Sequence, residues 1–187
     1  PGIADLYFDQ ESGYLYIAAS RYISDSSSIV KLKPDLSDFE FIGGANVKSL
    51  ATRVWGIWYD SSSQFIYFTD ERYGNRVGRI KIDGTQWKLL GTYGSGEGQF
   101  NRPQGICKMG DYLYVADSYN HRLVKTSTDL SGSEWETFGS YGSGEGQFYQ
   151  PGDIFCDTNT GYLYIADTLN NRIIKTKWNG VGWTEVA

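Results

Sequence analysis

Apolar and polar side chains alternate in short runs along most of the chain. Leu113-Tyr114-Val115-Ala116-Asp117 and Arg122-Leu123-Val124-Lys125 are typical, and each stops at turn-forming residues. A period of two built from β-branched and aromatic side chains predicts strands. No stretch combines helix length with an apolar repeat of 3.6, so no amphipathic helix is expected. A further strand is predicted at Gly105-Ile106-Cys107 after a proline, and a fourth centred on a tryptophan or other aromatic near Trp87, Trp135 or Trp183.

These runs recur as a unit. GTYGSGEGQFNRPQGI begins at Gly91 and GSYGSGEGQFYQPGDI at Gly139; each is followed by a hairpin-like run, LYVADSYNHRLVKT from Leu113 and LYIADTLNNRIIKT from Leu163. Looser relatives lie upstream, and the marker tyrosines Tyr16, Tyr67, Tyr114 and Tyr164 are 51, 47 and 50 residues apart. Repeats of that period with about four strands each predict propeller blades. The expected fold is therefore all-β: a single β-propeller domain over 1–187, with four four-stranded blades at about 1–53, 54–102, 103–150 and 151–187.

The pattern GSGEGQFxxPxGI followed by LYVADxxNxRIxK resembles the NHL repeat, strongly in the last two units and loosely in the first two. IYFTDERYGNRVGRIKIDGT, from Ile66 to Thr85, is also similar to the YWTD propeller repeat of extracellular receptors. The resemblance implies β-propellers that serve mostly as binding platforms and usually close rings of six blades. The first unit departs from it, with Ala19 where the others have Asp70, Asp117 and Asp167, and a Ser-rich stretch from Ser24 to Ser28 in place of the turn. Four units leave ring closure open: four blades alone, two chains pairing into eight, a part of a longer propeller, or open-ended stacking.

Composition narrows the function. Six Trp, 15 Tyr, 9 Phe and 23 Gly among 187 residues suit strands and tight turns rather than disorder. The formal charge of −5 gives no support for nucleic-acid binding. No apolar run approaches the length of a membrane helix, so no membrane insertion is expected. Cys107 and Cys156 are too few for a disulfide framework and read as small buried hydrophobes. Pro1 opens the chain and Met109 is its single methionine, so a processed or tag-cleaved product, or a fragment, is expected.

Candidate chemistry is sparse. The glycine-rich loops Tyr93–Phe100 and Tyr141–Phe148 lead into strands instead of a helix N-terminus and carry Glu97 or Glu145, so they read as blade connections rather than phosphate cradles. Asp70, the triplet Asp117, Asn120, Arg122 and the triplet Asp167, Asn170, Arg172 recur once per clear unit, which suits a structural turn better than catalysis. His121 is the lone histidine, so no multi-histidine metal centre is available, and neither a metal nor another cofactor is expected. Hydrolysis would need paired carboxylates converging on the axis from different blades, and no spacing selects a pair.

In the NHL-like arrangement the glycine-rich connections and the Asp-to-Arg turns share one face. Their variable residues Tyr22, Arg72, Tyr73, Arg102, Tyr119, His121, Tyr149 and Leu169 form an aromatic, mildly basic set, and Tyr and Arg favour protein interfaces. The expected function is a non-enzymatic scaffold or recognition module binding a protein or another ligand, such as a small molecule or glycan, on this rim. The alternatives are self-association through open blade faces into a ring or filament, and a propeller lyase or hydrolase. A secreted or cell-surface location is expected.

Overall fold

A computed structural model describes residues 2–20, 28–42 and 53–186. Their strands form four antiparallel sheets of four strands, each in simple meander order. Blade 1 comprises β1 (Gly2–Phe8), β2 (Leu15–Ser20), β3 (Ser28–Leu32) and β4 (Glu40–Ile42). Blade 2 comprises β5 (Val54–Asp60), β6 (Phe65–Asp70), β7 (Arg76–Lys81) and β8 (Lys88–Leu90). The short strands β9 (Thr92–Tyr93) and β10 (Gln99–Phe100) lead to blade 3: β11 (Pro103–Met109), β12 (Tyr112–Asp117), β13 (Arg122–Ser127) and β14 (Trp135–Phe138). Another short pair, β15 (Ser140–Tyr141) and β16 (Gln147–Phe148), leads to blade 4: β17 (Pro151–Asp157), β18 (Tyr162–Asp167), β19 (Arg172–Thr176) and β20 (Thr184–Val186). The architecture is a four-blade β-propeller, with no α-helix among the described residues.

The first strand of each blade lies innermost. β5 packs between β1 and β11, and β11 packs on β17. The pairing register of all four inner strands breaks near the same repeat position: between Ile3 and Asp5, Val54 and Ile57, Pro103 and Ile106, and Pro151 and Asp153. Crowding there explains two glycines. A Cβ on Gly56 would lie 2.3 Å from the Gln104 carbonyl oxygen, and one on Gly105 2.6 Å from the Cα of Asp153.

Burial separates the middle blades from the outer two. Every residue of β6 and β12 after the first is buried, because both sheet faces meet a neighbouring blade. In β18 burial alternates, since one face packs on blade 3 and the other meets solvent. Blade 1 mirrors this: Tyr16, Ala18, Ile29 and Ile42 pack on blade 2, while Leu6, Phe8 and Phe41 stay exposed on the opposite face.

The cysteine expectation needs correction. Cys107 and Cys156 are joined in a disulfide with a Cα–Cα distance of 5.7 Å. Both are buried where β11 and β17 run side by side, so the bond staples blade 3 to blade 4. Each cysteine fills its core site as a small hydrophobe would, but the adjacency of the two inner strands brings the sulfurs together.

Candidate functional site

The Asp-to-Arg turn is a clamp on the preceding blade connection. Asp117 is fully buried at the end of β12; its Oδ1 accepts the Asn101 N–H at 2.7 Å, and its Oδ2 accepts from Asn120 Nδ2 and Arg122 Nε, both at 2.8 Å. The Arg122 fork continues into the glycine-rich loop, donating to the carbonyls of Ser95 at 2.6 Å and Gln99 at 2.9 Å. Burial raises the Asp117 carboxyl above its ordinary value, against the pull of these donors. Blade 4 repeats the set through Asp167, Asn170 and Arg172, with Arg172 holding the Ser143 and Gln147 carbonyls at 2.6 and 2.9 Å. In blade 2, Asp70 accepts from the Arg53 N–H and Arg76 Nε. Both forks thus rigidify loops in which Gly94, at φ 149°, takes a backbone angle that residues with a side chain rarely adopt.

These clamps set out the rim side chains in successive groups. The Arg72 guanidinium lies 5.5 Å from the centre of the Tyr73 ring. Arg102 stacks 4.4 Å over Tyr119 and donates to its hydroxyl at 2.9 Å. His121 stands between Tyr141 and Tyr149, with ring centroids at 5.1 and 5.6 Å, and those tyrosines meet edge to face at 5.2 Å. The N–H groups of Tyr119 and Leu169 donate to the Asn101 and Tyr149 carbonyls, so in blades 3 and 4 the turn lies against the end of the preceding connection. Tyr73 and Tyr141 remain about two-thirds exposed, at 66% and 64%. Tyr22 and the serines from Ser24 to Ser27 lie outside the described residues.

His121 is held as a positioning group. Its Nδ1 accepts the Gln150 N–H at 3.1 Å, which leaves the ring proton on Nε2, and burial lowers its basicity. At neutral pH it is an uncharged aromatic spacer.

Two carboxylates near the axis were not singled out by sequence spacing. Asp5 and Asp153 occupy equivalent inner-strand positions and line a cavity of about 570 Å³ with Tyr7, Trp58, Ile106 and Phe155. Burial, the larger influence, and the Asp153 charge push the Asp5 carboxyl up to about 6. Both Asp5 oxygens are engaged, accepting from the N–H groups of Leu6 at 2.8 Å and Ile57 at 2.9 Å, so the residue clasps strands rather than offering a free base. Among the described residues no group of three or more His, Cys, Asp or Glu side chains gathers as metal ligands. No described helix is long and apolar enough to cross a membrane.

Sequence reasoning favoured residues that vary between repeats and so missed Tyr93 and Tyr141. Both are exposed, and Tyr141 completes the aromatic group around His121. The signal available was an aromatic opening a loop of small polar residues.

Comparison with known proteins agrees with this architecture. Residues 100–125, spanning β10 to most of β13, match the NHL repeat. No curated protein matches the chain in sequence. A chain of the nidogen/laminin complex superposes with a TM-score of 0.71 at 21% identity, over 94% of the present chain and 60% of its own. A chain of Kuenenia stuttgartiensis hydrazine synthase superposes with a TM-score of 0.63 at 13% identity, over 94% and 58%. At these identities the likeness is one of fold, and the present chain spans about 60% of the structures it matches.

Proposed function

We propose that this NHL-type propeller is a non-enzymatic protein-recognition scaffold that binds its partner on the rim formed by Arg72, Tyr73, Arg102, Tyr119, His121, Tyr141, Tyr149 and Leu169. The observation that carries the reading is the combination of exposure and fixity: Tyr73, Tyr119 and Tyr141 are exposed, yet buried ion pairs hold the loops of blades 3 and 4. Large amphipathic side chains already ordered before binding lose little entropy on docking. One protein of similar fold was solved in a protein–protein complex, that of nidogen and laminin, which supports a protein partner.

The buried Cys107–Cys156 disulfide supports an oxidising compartment, hence a secreted or cell-surface protein. A second reading, assembly through blade faces, draws on the exposed Leu6, Phe8 and Phe41 of blade 1 and Phe155, Ile173 and Val186 of blade 4. The lyase or hydrolase alternative gains nothing from Asp5, whose two oxygens are occupied.

The test is surface plasmon resonance of the chain against a panel of extracellular proteins, followed by Tyr119→Ala and Tyr149→Ala. A hot-spot ring contributes about 2 kcal/mol, so either substitution weakens binding roughly 30-fold. Binding left unchanged by both sinks the rim reading.

A further inference from the structure

Repeat register separates what the blade junctions need from what they merely carry. Arg102 and Gln150 each precede the proline that opens an inner strand, and both stand at φ 51°. The N–H of each is held by the preceding turn, Arg102 by Asn75 Oδ1 at 2.8 Å and Gln150 by His121 Nδ1 at 3.1 Å. Tyr119 and Leu169 are likewise equivalent, each donating its N–H to the end of the preceding connection. The same backbone contacts thus form with arginine and tyrosine at one junction and with glutamine and leucine at the next. The guanidinium of Arg102 is not required to build the junction.

Charge is left uncovered where blade 2 meets blade 3. Arg53, Arg76, Arg122 and Arg172 each pair with a carboxylate. Among the described residues no carboxylate forms an ion pair with Arg72 or Arg102, and the nearby acids are already engaged: Asp70 and Asp117 are buried against Arg76 and Arg122, and Glu71 against Arg53. The two arginines belong to one junction, because Asn75, which accepts the Arg102 N–H, lies in the turn that carries Arg72. Each guanidinium rides on a tyrosine ring, at 5.5 Å for Arg72 over Tyr73 and 4.4 Å for Arg102 over Tyr119. Apart from the bond from Arg102 Nη1 to the Tyr119 hydroxyl, their donors have no partner among the described residues. A planar fork held on a ring face points its N–H edge outward, the geometry that grips a carboxylate.

At the next junction the rim carries no charge. Gln150 and Leu169 stand where Arg102 and Tyr119 stood, and His121 sits between the rings of Tyr141 and Tyr149. Leu169 and Tyr141 are both exposed. The rim therefore runs from a cationic end at blades 2 and 3 to an aromatic and aliphatic end at blades 3 and 4.

We propose that the rim takes an acidic segment of a partner protein, with its carboxylates on Arg72 and Arg102 and its adjoining apolar residues on Tyr141, Tyr149 and Leu169. This partner chemistry rests on the rim binding proposed above and adds what the partner must carry and which end of it lies where. The formal charge of −5 makes the match selective: the chain as a whole repels acidic segments, so carboxylates gain only beside the two uncovered arginines.

The test selects a phage-displayed library of random dodecapeptides on the immobilised chain and then measures the winning peptides by fluorescence anisotropy. Winners carry an acidic run beside aromatic or aliphatic residues. The double substitution Arg72→Gln, Arg102→Gln weakens them by about tenfold or more. It leaves the melting temperature unchanged, because glutamine already serves at position 150. Replacing the Glu and Asp of a winner by Gln and Asn reproduces the loss and makes the arginine substitutions silent, while Tyr149→Ala still weakens what binding is left. Neutral or basic winners, acidic winners indifferent to the arginine substitutions, or no enrichment over a bare surface overturn the proposal. Winners that ignore the arginines but weaken with Tyr119→Ala or Tyr149→Ala leave the rim reading standing without its acidic partner; winners that ignore all four residues refute both.

Discussion

Replacing Arg172 with alanine removes a guanidinium that is 7% exposed and paired at 2.8 Å with the fully buried Asp167. Two donors stay on that carboxylate, the Tyr149 N–H at 2.6 Å and Asn170 Nδ2 at 2.7 Å, so it is weakened rather than abandoned. Breaking a buried pair from one side costs about 3–5 kcal/mol, and the surviving donors favour the lower half of that range. Of the released carbonyls, Ser143 lies where water replaces the bond, whereas Gln147 is half-buried and adds about 1 kcal/mol. The total, about 4 kcal/mol, corresponds to a fall of roughly 8–16 °C in melting temperature for a chain of this size. Urea unfolding followed by tryptophan fluorescence measures it. Arg172→Lys keeps the charge but loses the planar fork and recovers less than half. A loss below 1 kcal/mol for Arg172→Ala, or equal behaviour of the two variants, refutes the clamp.

The remaining predictions concern the axis and the staple. Reducing the Cys107–Cys156 bond, whose cysteines are 49 residues apart, removes about 4 kcal/mol by the loop-entropy relation; the urea midpoint with and without dithiothreitol checks it. Gly105→Ala drives a Cβ to 2.6 Å from the Asp153 backbone and costs about 3 kcal/mol, read as a lower urea midpoint. The folded Asp5 carboxyl, pushed up to about 6, holds its proton more tightly than the unfolded one at 3.8. Its contribution is therefore full below pH 4 and fades as pH rises through 6, by about 1–2 kcal/mol after solvent screening; Asp5→Asn flattens that slope in denaturation series.

The blades were legible because each repeat states its own strands: Leu113–Asp117 and Arg122–Lys125 alternate, and Asp117 and Arg122 bracket the turn that joins them. The turn's structural role was legible for the same reason, since a clamp needed at every junction must recur. The disulfide was not, because pairing depends on which faces of β11 and β17 meet. Cys107 and Cys156 are one residue out of the repeat register set by Pro103 and Pro151, and only the packed strands reveal their approach. Tyr141 was hidden by its sameness to Tyr93. The openness of the outer blades was equally hidden, because Ala116 and Ala166 occupy the same place in the sequence pattern, yet only Ala116 has a blade beyond it.

Hydroxyl-radical footprinting of the chain, free and bound to its tightest protein ligand, addresses the recognition surface most directly. Binding on the rim protects Tyr73, Tyr119, Tyr141 and Tyr149, while Phe8, Phe41 and Phe155 are oxidised at unchanged rates. Protection confined to those phenylalanines, with the rim tyrosines still reactive, would place the partner on the outer blade faces and contradict it.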